Sequence, residues 1–476
     1  MKKLIQRYKQ LNPAARASIW FVFCNLMQKG ISTITVPIFT RLLTTEEYGT
    51  YSLYLSWFNI LTVVTSLNLY YGVFNNLMNR ESDPKVRDQY VSSMQGIVVT
   101  LTAVLAVIYL PFQDFWSSAL GLSRLAIWLM LLELLVEPSV QFYLARQRFE
   151  FKYKHAVSIT MLKSILNPVL GLALVLLADE DRATVRIISV VITEVLVSGT
   201  IMILQFAKGR VFFSESNWKY ALSFNIPLIP HYLSAVLLNQ ADRVMIRMFD
   251  SVSKVGIYSV AYNIGMLMQL FTNAINSSLT PWTYDKMNKG DYRSIRKSTT
   301  TLLLLLASAI LCMLLFVPEL VKIFATAEYY EAIYVVPPVA CSVYFIFLYN
   351  IFAIPQMYYE RQKFMSVASV AAAGLNIILN YVFINLFGFL AAGYTTVACY
   401  LCYSVGHYIF CRKVCMEEIG SMELYNTKAI LGISMGVLSC SVVFNVLYAF
   451  SYIRYTLIVV AVIIVIMKRK AILNNL

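Results

Sequence analysis

Gly49-Thr50-Tyr51-Ser52 returns 207 residues later as Gly256-Ile257-Tyr258-Ser259. Arg146-Gln147-Arg148-Phe149 returns as Arg361-Gln362-Lys363-Phe364, an offset of 215, and Ile165-Leu166-Asn167 as Ile378-Leu379-Asn380, an offset of 213. The three pairs keep their order and nearly their spacing, which marks an internal duplication. The 476-residue chain is 59% hydrophobic and 13% charged, with a mean hydropathy of +0.66. A weak repeat in so apolar a chain points to a transporter built from two similar halves.

A soluble chain of this length carries about one quarter charged residues. Here the apolar residues run together instead, and about 20 of them in a helix cross the roughly 30 Å hydrocarbon core of a bilayer. The expected fold is therefore an all-α polytopic membrane protein. Fourteen segments fit, near 17–40, 48–73, 90–111, 125–144, 155–177, 185–206, 219–240, 255–279, 298–317, 332–356, 365–386, 389–410, 428–449 and 452–467. The run from Ser18 to Thr40 is too long for a signal-peptide core and reads as a retained first span. The connecting loops are too short to hold a folded domain. Eight scattered cysteines, including the Cys399-Tyr400-Leu401-Cys402 pair, lie mostly within apolar runs and read as small hydrophobes. The histidines are too far apart in sequence to suggest a metal site.

Charge orients the segments. Of the 39 Lys and Arg residues, 28 fall on the N-terminal side and in the loops sharing that side, against 9 on the alternate loops. That bias puts both termini in the cytoplasm. The net charge of +14 then reflects topology and contact with anionic membrane lipids. Basic residues spread over many short loops make no nucleic-acid surface.

The repeat now acquires geometry. Its Gly-x-Tyr-Ser elements open spans two and eight, and its Arg-Gln-basic-Phe elements precede spans five and eleven. The halves are residues 1–210 (spans one to six) and 211–415 (spans seven to twelve), with an appended helix pair at 416–476. Six spans per half give both halves the same orientation, with a substrate path expected between them.

Ionisable groups inside spans are costly and are functional candidates by default. Lys29 lies in span one, Glu133 and Glu137 lie four apart on one face of span four, Lys163 lies in span five and Glu194 in span six. Depth alone groups Lys163 with Glu137 in the cytoplasmic half, and Lys29 with Glu133 and Glu194 near the middle. Such groups serve either as structural ion pairs or as a wetted cavity. In a cavity, the cations hold an anion and the carboxylates exchange H⁺ or Na⁺. Arg41, Arg243 and Arg247 sit at the outer ends of spans one and seven, and a guanidinium's planar fork suits phosphate. Pro227 and Pro230, next to His231, remove two backbone donors within one turn of span seven and mark a candidate hinge. Thr44-Thr45-Glu46-Glu47 reads as a helix start. No Gly-rich phosphate loop, acidic metal pair or nucleophile–base pair is present, so the expectation is a protein that is not an enzyme and uses no cofactor.

The stretch Pro37-Ile38-Phe39-Thr40-Arg41-Leu42-Leu43-Thr44-Thr45-Glu46-Glu47-Tyr48-Gly49-Thr50-Tyr51-Ser52 resembles the first-loop signature of bacterial polysaccharide (O-antigen) flippases. That family shares a superfamily with multidrug extruders and the lipid II flippase. The resemblance implies the multidrug-extruder fold and an inner-membrane location. It also implies export of an undecaprenyl-pyrophosphate-linked oligosaccharide by alternating access and ion exchange, alongside other polysaccharide-assembly proteins. Within it, Arg41 takes the position of a family arginine, and Lys29, Lys163, Arg243 and Arg247 are candidates for holding the head group. A drug or cation extruder, a lipid II flippase and a membrane polysaccharide polymerase are the alternatives.

Overall fold

The computed structural model describes residues 12–361, 363–420 and 424–460, and every regular element among them is helical. Each expected segment falls on helix. The last begins as Ser451–Val460, and its remainder lies outside the described residues, as do the first eleven residues and Gln362. Nine of the described helices are long and apolar enough to cross a membrane on their own. By packing, the chain divides into two compact units, Met1–Gly256 and Ile257–Leu476.

In the first unit the helix of span four, Arg124–Phe149, is the central post, packed against spans two, three, five and six. Span two begins as the sequence indicates. Thr44 caps the helix Thr45–Ser66: its hydroxyl accepts from Glu47 N at 3.2 Å, and the Glu47 carboxylate accepts from Thr44 N at 2.9 Å. The second oxygen of Glu47 accepts from Arg182 N at 3.1 Å, at the first residue of the span-six helix Arg182–Glu194. One carboxylate thus satisfies the open amides of two helix starts.

Span seven, which the repeat assigns to the second half, packs against span two within this unit. Just beyond it, the two copies of Gly-x-Tyr-Ser meet. A Cβ on Gly49 would sit 1.9 Å from Val252 O, and one on Gly256 would sit 2.1 Å from Thr45 O. The offset of 207 maps one contact onto the other, Gly49 to Gly256 and Thr45 to Val252, so this is a symmetric backbone-to-backbone approach that only glycine permits. Thr45 Oγ1 and Ser253 Oγ close it with a 2.7 Å hydrogen bond.

Spans two and seven are both broken. Span two turns at Leu67 and Asn68, each at φ +49°, before resuming as Gly72–Arg80. Span seven runs as Glu215–Asn225, then a 3₁₀ turn Ile226–Leu228 holding Pro227, then Ile229–Phe249 with Pro230 in its first turn. The buried Asn225 amide donates to Leu67 O at 2.7 Å and ties the two breaks together.

In the second unit the corresponding post is span ten, Val336–Tyr358, which carries the fully buried Tyr344, Phe345 and Phe347. It packs against Ala391–Glu418, Thr427–Leu447 and Tyr292–Leu315. The Arg454 guanidinium forks onto Glu319, with Nη2 donating to Oε1 at 2.6 Å, and anchors the final described helix.

The glycine crossing gives a direct test. In a background without native cysteines, Thr45→Cys with Ser253→Cys is expected to cross-link rapidly under mild oxidation, read as a gel shift after cleavage at an engineered site between the two positions. Slow or absent cross-linking would contradict the crossing.

Candidate functional site

Spans two, four, five and six of the first unit converge on a buried group of three carboxylates and one ammonium. Glu133 is 3% exposed, and its one partner among the described residues is the Tyr54 hydroxyl, which donates at 2.6 Å. One turn along, Glu137 accepts from Gln141 Nε2 at 2.6 Å. Lys163 Nζ lies 2.9 Å from Glu194 Oε2, which also accepts from Ser198 Oγ at 2.6 Å. The three carboxylates act electrostatically on one another and on Lys163.

The helix changes geometry at Glu194. Directly after it, Val195–Gly199 widens into a π turn, a distortion that recurs at functional sites. Ser139 Oγ on span four donates to Ser198 O at 2.6 Å and pins this wider turn against the central post.

The pairing differs from the one expected from depth. Lys163 pairs with Glu194, and Glu137 is left with a neutral amide partner. Lys29 does not join Glu133 and Glu194. It lies exposed on span one, with no carboxylate among the described residues at ion-pair distance. Arg41, also exposed, donates to Pro37 O at 2.7 Å. Arg243 is buried in the seam of spans two and seven, where it donates to Asn239 O at 2.8 Å. It lies near Gln240, which accepts from Ser56 at 3.1 Å. Arg247 packs over Gly121 in the turn before span four. Of the five candidate cations, the structure brings only Lys163 to the carboxylates. His231, half-buried, lies beside Tyr232 just past the proline break.

Sequence reading missed Arg186. Counted with the outer loops, it is only 5% exposed, on span six two turns from Glu194. Its guanidinium donates to Asn167 Oδ1 at 2.7 Å, Ser189 Oγ at 2.8 Å and Tyr51 OH at 3.3 Å. It lies over the rings of Phe39 and Tyr51. The signal was present: Tyr51 and Asn167 are polar residues repeated in two of the motifs. In the second unit the matching Asn380 accepts from Thr395 and donates to Asn376 Oδ1 at 3.2 Å. The repeats therefore mark buried polar nodes.

Chemically, three carboxylates facing one ammonium leave a surplus of acid inside a lipid-embedded bundle. Protons or small cations can replace the missing counter-charge of such a group.

Known proteins agree with this architecture. The family described as polysaccharide biosynthesis protein matches residues 14–287, more than half the chain. The chain belongs to that family. The MatE family matches residues 227–382, from span seven into span eleven, so the two family matches together cover both copies of the repeat. Among curated relatives of this polysaccharide biosynthesis protein, the Haloferax volcanii "Probable low-salt glycan biosynthesis flippase Agl15" is 21% identical over 404 residues, covering 83% of this chain and 82% of its own. The Haemophilus influenzae "Lsg locus putative protein 1" is 22% identical over 375 residues, covering 74% and 87%. Among solved structures, the lipid II flippase MurJ in an inward closed conformation superposes with a TM-score of 0.69 at 15% identity, over 96% of this chain and all of that one. An inward-facing multidrug resistance MATE family transporter of the MOP superfamily gives 0.66 at 13% identity, over 83% and 96%. The fold is that of these transporters, and the protein is a multi-pass membrane protein.

The Lys163–Glu194 pair makes a separable prediction. Removing one partner of a buried pair leaves a buried charge, which costs roughly 3–5 kcal/mol. Lys163→Met alone is expected to lower the unfolding temperature in detergent by several degrees, and the double variant with Glu194→Gln to recover most of it. Additive losses would show that the two do not act as a pair.

Proposed function

We propose that the protein is a flippase that moves an undecaprenyl-pyrophosphate-linked oligosaccharide from the cytoplasmic to the outer leaflet of the bacterial inner membrane. Both termini lie in the cytoplasm, and transport proceeds by alternating access coupled to an ion. The observation that carries this reading is the surplus of buried carboxylates inside a transporter fold of a polysaccharide biosynthesis family. The flippase name of the Haloferax relative and the fold shared with the lipid II flippase support it.

Glu133, Glu137 and Glu194 are the coupling groups, and the proton is the ion that suits them. Glu133 and Glu137 each face one neutral donor, a hydroxyl or an amide. Loading a carboxylate removes a buried charge, so it favours a packing of the bundle that unloading disfavours. Lys29, Arg41, Arg243, Arg247 and Lys163 are the candidate cations for the pyrophosphate. Pro227 and Pro230 form the bend about which span seven moves, since each removes one backbone donor from the ladder there. Membrane lipids and other polysaccharide-assembly proteins are its partners.

Purified protein in liposomes with a defined lipid-linked oligosaccharide is the test. Outward exposure of the glycan is expected to be protein-dependent and to respond to an imposed H⁺ gradient. Glu133→Gln and Glu194→Gln should lower that response at least about tenfold, equal to roughly 1.4 kcal/mol, while the variants remain folded. No glycan exposure with the wild type would sink the flippase reading. An unchanged gradient response in both variants would leave the carboxylates structural.

A further inference from the structure

At the end of the first unit that the charge bias assigns to the cytoplasm, spans three, four and six enclose a cleft of about 210 Å³. At about 30 Å³ per water molecule it has room for roughly seven, enough for one lipid head group and too little for its acyl chains. The wall is layered. Val91, Tyr143, Ile201 and Leu204 lie within the hydropathy segments, and Leu204 is 53% exposed. Asp88, Arg146, Glu150 and Lys208 lie just outside those segments. The cleft therefore straddles the boundary between hydrocarbon and head groups, as a phospholipid does.

A glycine closes one side of it. A Cβ on Gly209 would sit 2.3 Å from Asp88 O, so the end of span six lies against the start of span three. That approach brings Lys208, the preceding residue, to the cleft.

Most of the charge in the wall is already paired. Arg146 donates through Nε to Glu150 Oε1 at 2.9 Å and also pairs with Asp88. Lys152 Nζ meets the other Glu150 oxygen at 2.6 Å. Burial pushes the Glu150 carboxyl up, but its bonds to Lys152 and Arg146 outweigh that and hold it below the usual carboxylate range. One cation and two acceptors remain open. Lys208 forms no ion pair or side-chain hydrogen bond among the described residues. Gln147, from the repeated Arg-Gln-basic-Phe motif, is only 8% exposed, and its Oε1 is buried without a partner among them. Gln205 donates through Nε2 to Ser139 O at 3.1 Å, while its own Oε1 is likewise buried and unpartnered. Orphaned buried acceptors are costly, and an occupant that carries donors relieves them.

Charge narrows the choice of occupant. Arg146, Lys152 and Lys208 face Asp88 and Glu150, which leaves a single positive charge. A phosphodiester carries one negative charge, and a glycerol head group adds two hydroxyls to meet two amide oxygens. A choline head group brings no donor. An ethanolamine head group neutralises its own phosphate and leaves Lys208 unbalanced.

We infer that this cleft binds phosphatidylglycerol of the cytoplasmic leaflet, with Lys208 on the phosphodiester and the Gln147 and Gln205 amide oxygens accepting from the two glycerol hydroxyls. The inference rests on the membrane fold and the charge bias, not on the flippase reading. Gln205 also holds Ser139, which pins the π turn beside Glu194, so the lipid and the carboxylate group share span six.

Native mass spectrometry of the full-length protein in detergent, titrated with dilauroyl lipids, tests the site. The decisive comparison is phosphatidylmethanol, which has the same phosphodiester charge and no hydroxyl. The wild type is expected to bind its first phosphatidylglycerol at least about tenfold more tightly than phosphatidylmethanol, or roughly 1.4 kcal/mol. Gln147→Leu and Gln205→Leu should each remove most of that preference and leave phosphatidylmethanol binding unchanged. Lys208→Gln should weaken both lipids alike, and exposed Lys154→Gln neither. Unfolding temperatures establish that each variant is folded.

Equal affinity of the wild type for the two lipids overturns the inference, as does a preference that survives both glutamine substitutions. Phosphatidylethanolamine binding as tightly as phosphatidylglycerol overturns the argument from charge and with it the assignment. Soluble glycerophosphoglycerol that displaces the lipid at equal concentration assigns the site to a free phosphodiester and overturns its assignment to a lipid. The liposome assay keeps the two proposals apart, because glycan exposure decides the flippase reading whichever lipid the cleft binds.

Discussion

Inside a bundle surrounded by lipid, every carboxylate needs a donor, a cation or a proton, because no bulk water is available to solvate it. Glu133, Glu137 and Glu194 share a single ammonium, that of Lys163, and the rest of the first unit is arranged around this shortage. Span four, the central helix, carries two of the acids. Span two brings the Tyr54 hydroxyl to Glu133. Span six widens into a π turn where Glu194 meets Ser198, and span five brings the lysine. A wholly apolar packing of the same helices would avoid the cost of desolvation. Keeping the acids makes sense where their charge is meant to change.

Lys163 belongs to two environments at once. One side of its ammonium meets Glu194, and the other opens into a cavity that also holds Arg148. The same side chain therefore meets a carboxylate on one side and a polar cleft on the other. Nothing comparable occurs at Arg186, whose guanidinium is surrounded by an amide, two hydroxyls and two aromatic rings. There the positive charge is dispersed over neutral groups and ring faces, which suits a fixed strut joining spans one, two, five and six.

Much of this was legible from residue order, for identifiable reasons. Hydropathy located the helices because a bilayer imposes one length on all of them. The capping box at Thr44 was readable because it is local, involving residues three apart. The motif repeats were readable as a duplication, and the structure adds why they persist: Gly49 and Gly256 permit a backbone crossing, while Tyr51 and Asn167 hold Arg186. Partner choice was not legible. Depth alone placed Lys163 with Glu137, but which carboxylate it meets depends on rotation about the helix axis. Sequence depth does not fix that rotation. Arg186 was missed because a residue near a span end reads as loop, although its side chain points into the bundle. The grouping by repeat and the division by packing also answer different questions. The repeat groups span seven with span one, yet span seven packs against span two in the first unit.

That contact determines how span seven is able to bend. Pro227 removes a donor from span seven, and the left-handed residues Leu67 and Asn68 interrupt span two. Each break alone would leave carbonyls unsatisfied in an apolar setting, at a cost that a lone kink would have to bear. Here the Asn225 amide beside the first break donates to the carbonyl of Leu67 in the second. Gly72, just past the second break, lies against the ring of Phe224, so no larger residue fits there without displacing it. The two breaks therefore lie side by side and share one hydrogen bond. A change of angle at Pro227 that preserves that bond must carry the upper turn of span two with it. A change that breaks it leaves a buried carbonyl unpaired, at about 1–3 kcal/mol. The paired breaks thus favour spans two and seven moving together over either moving alone.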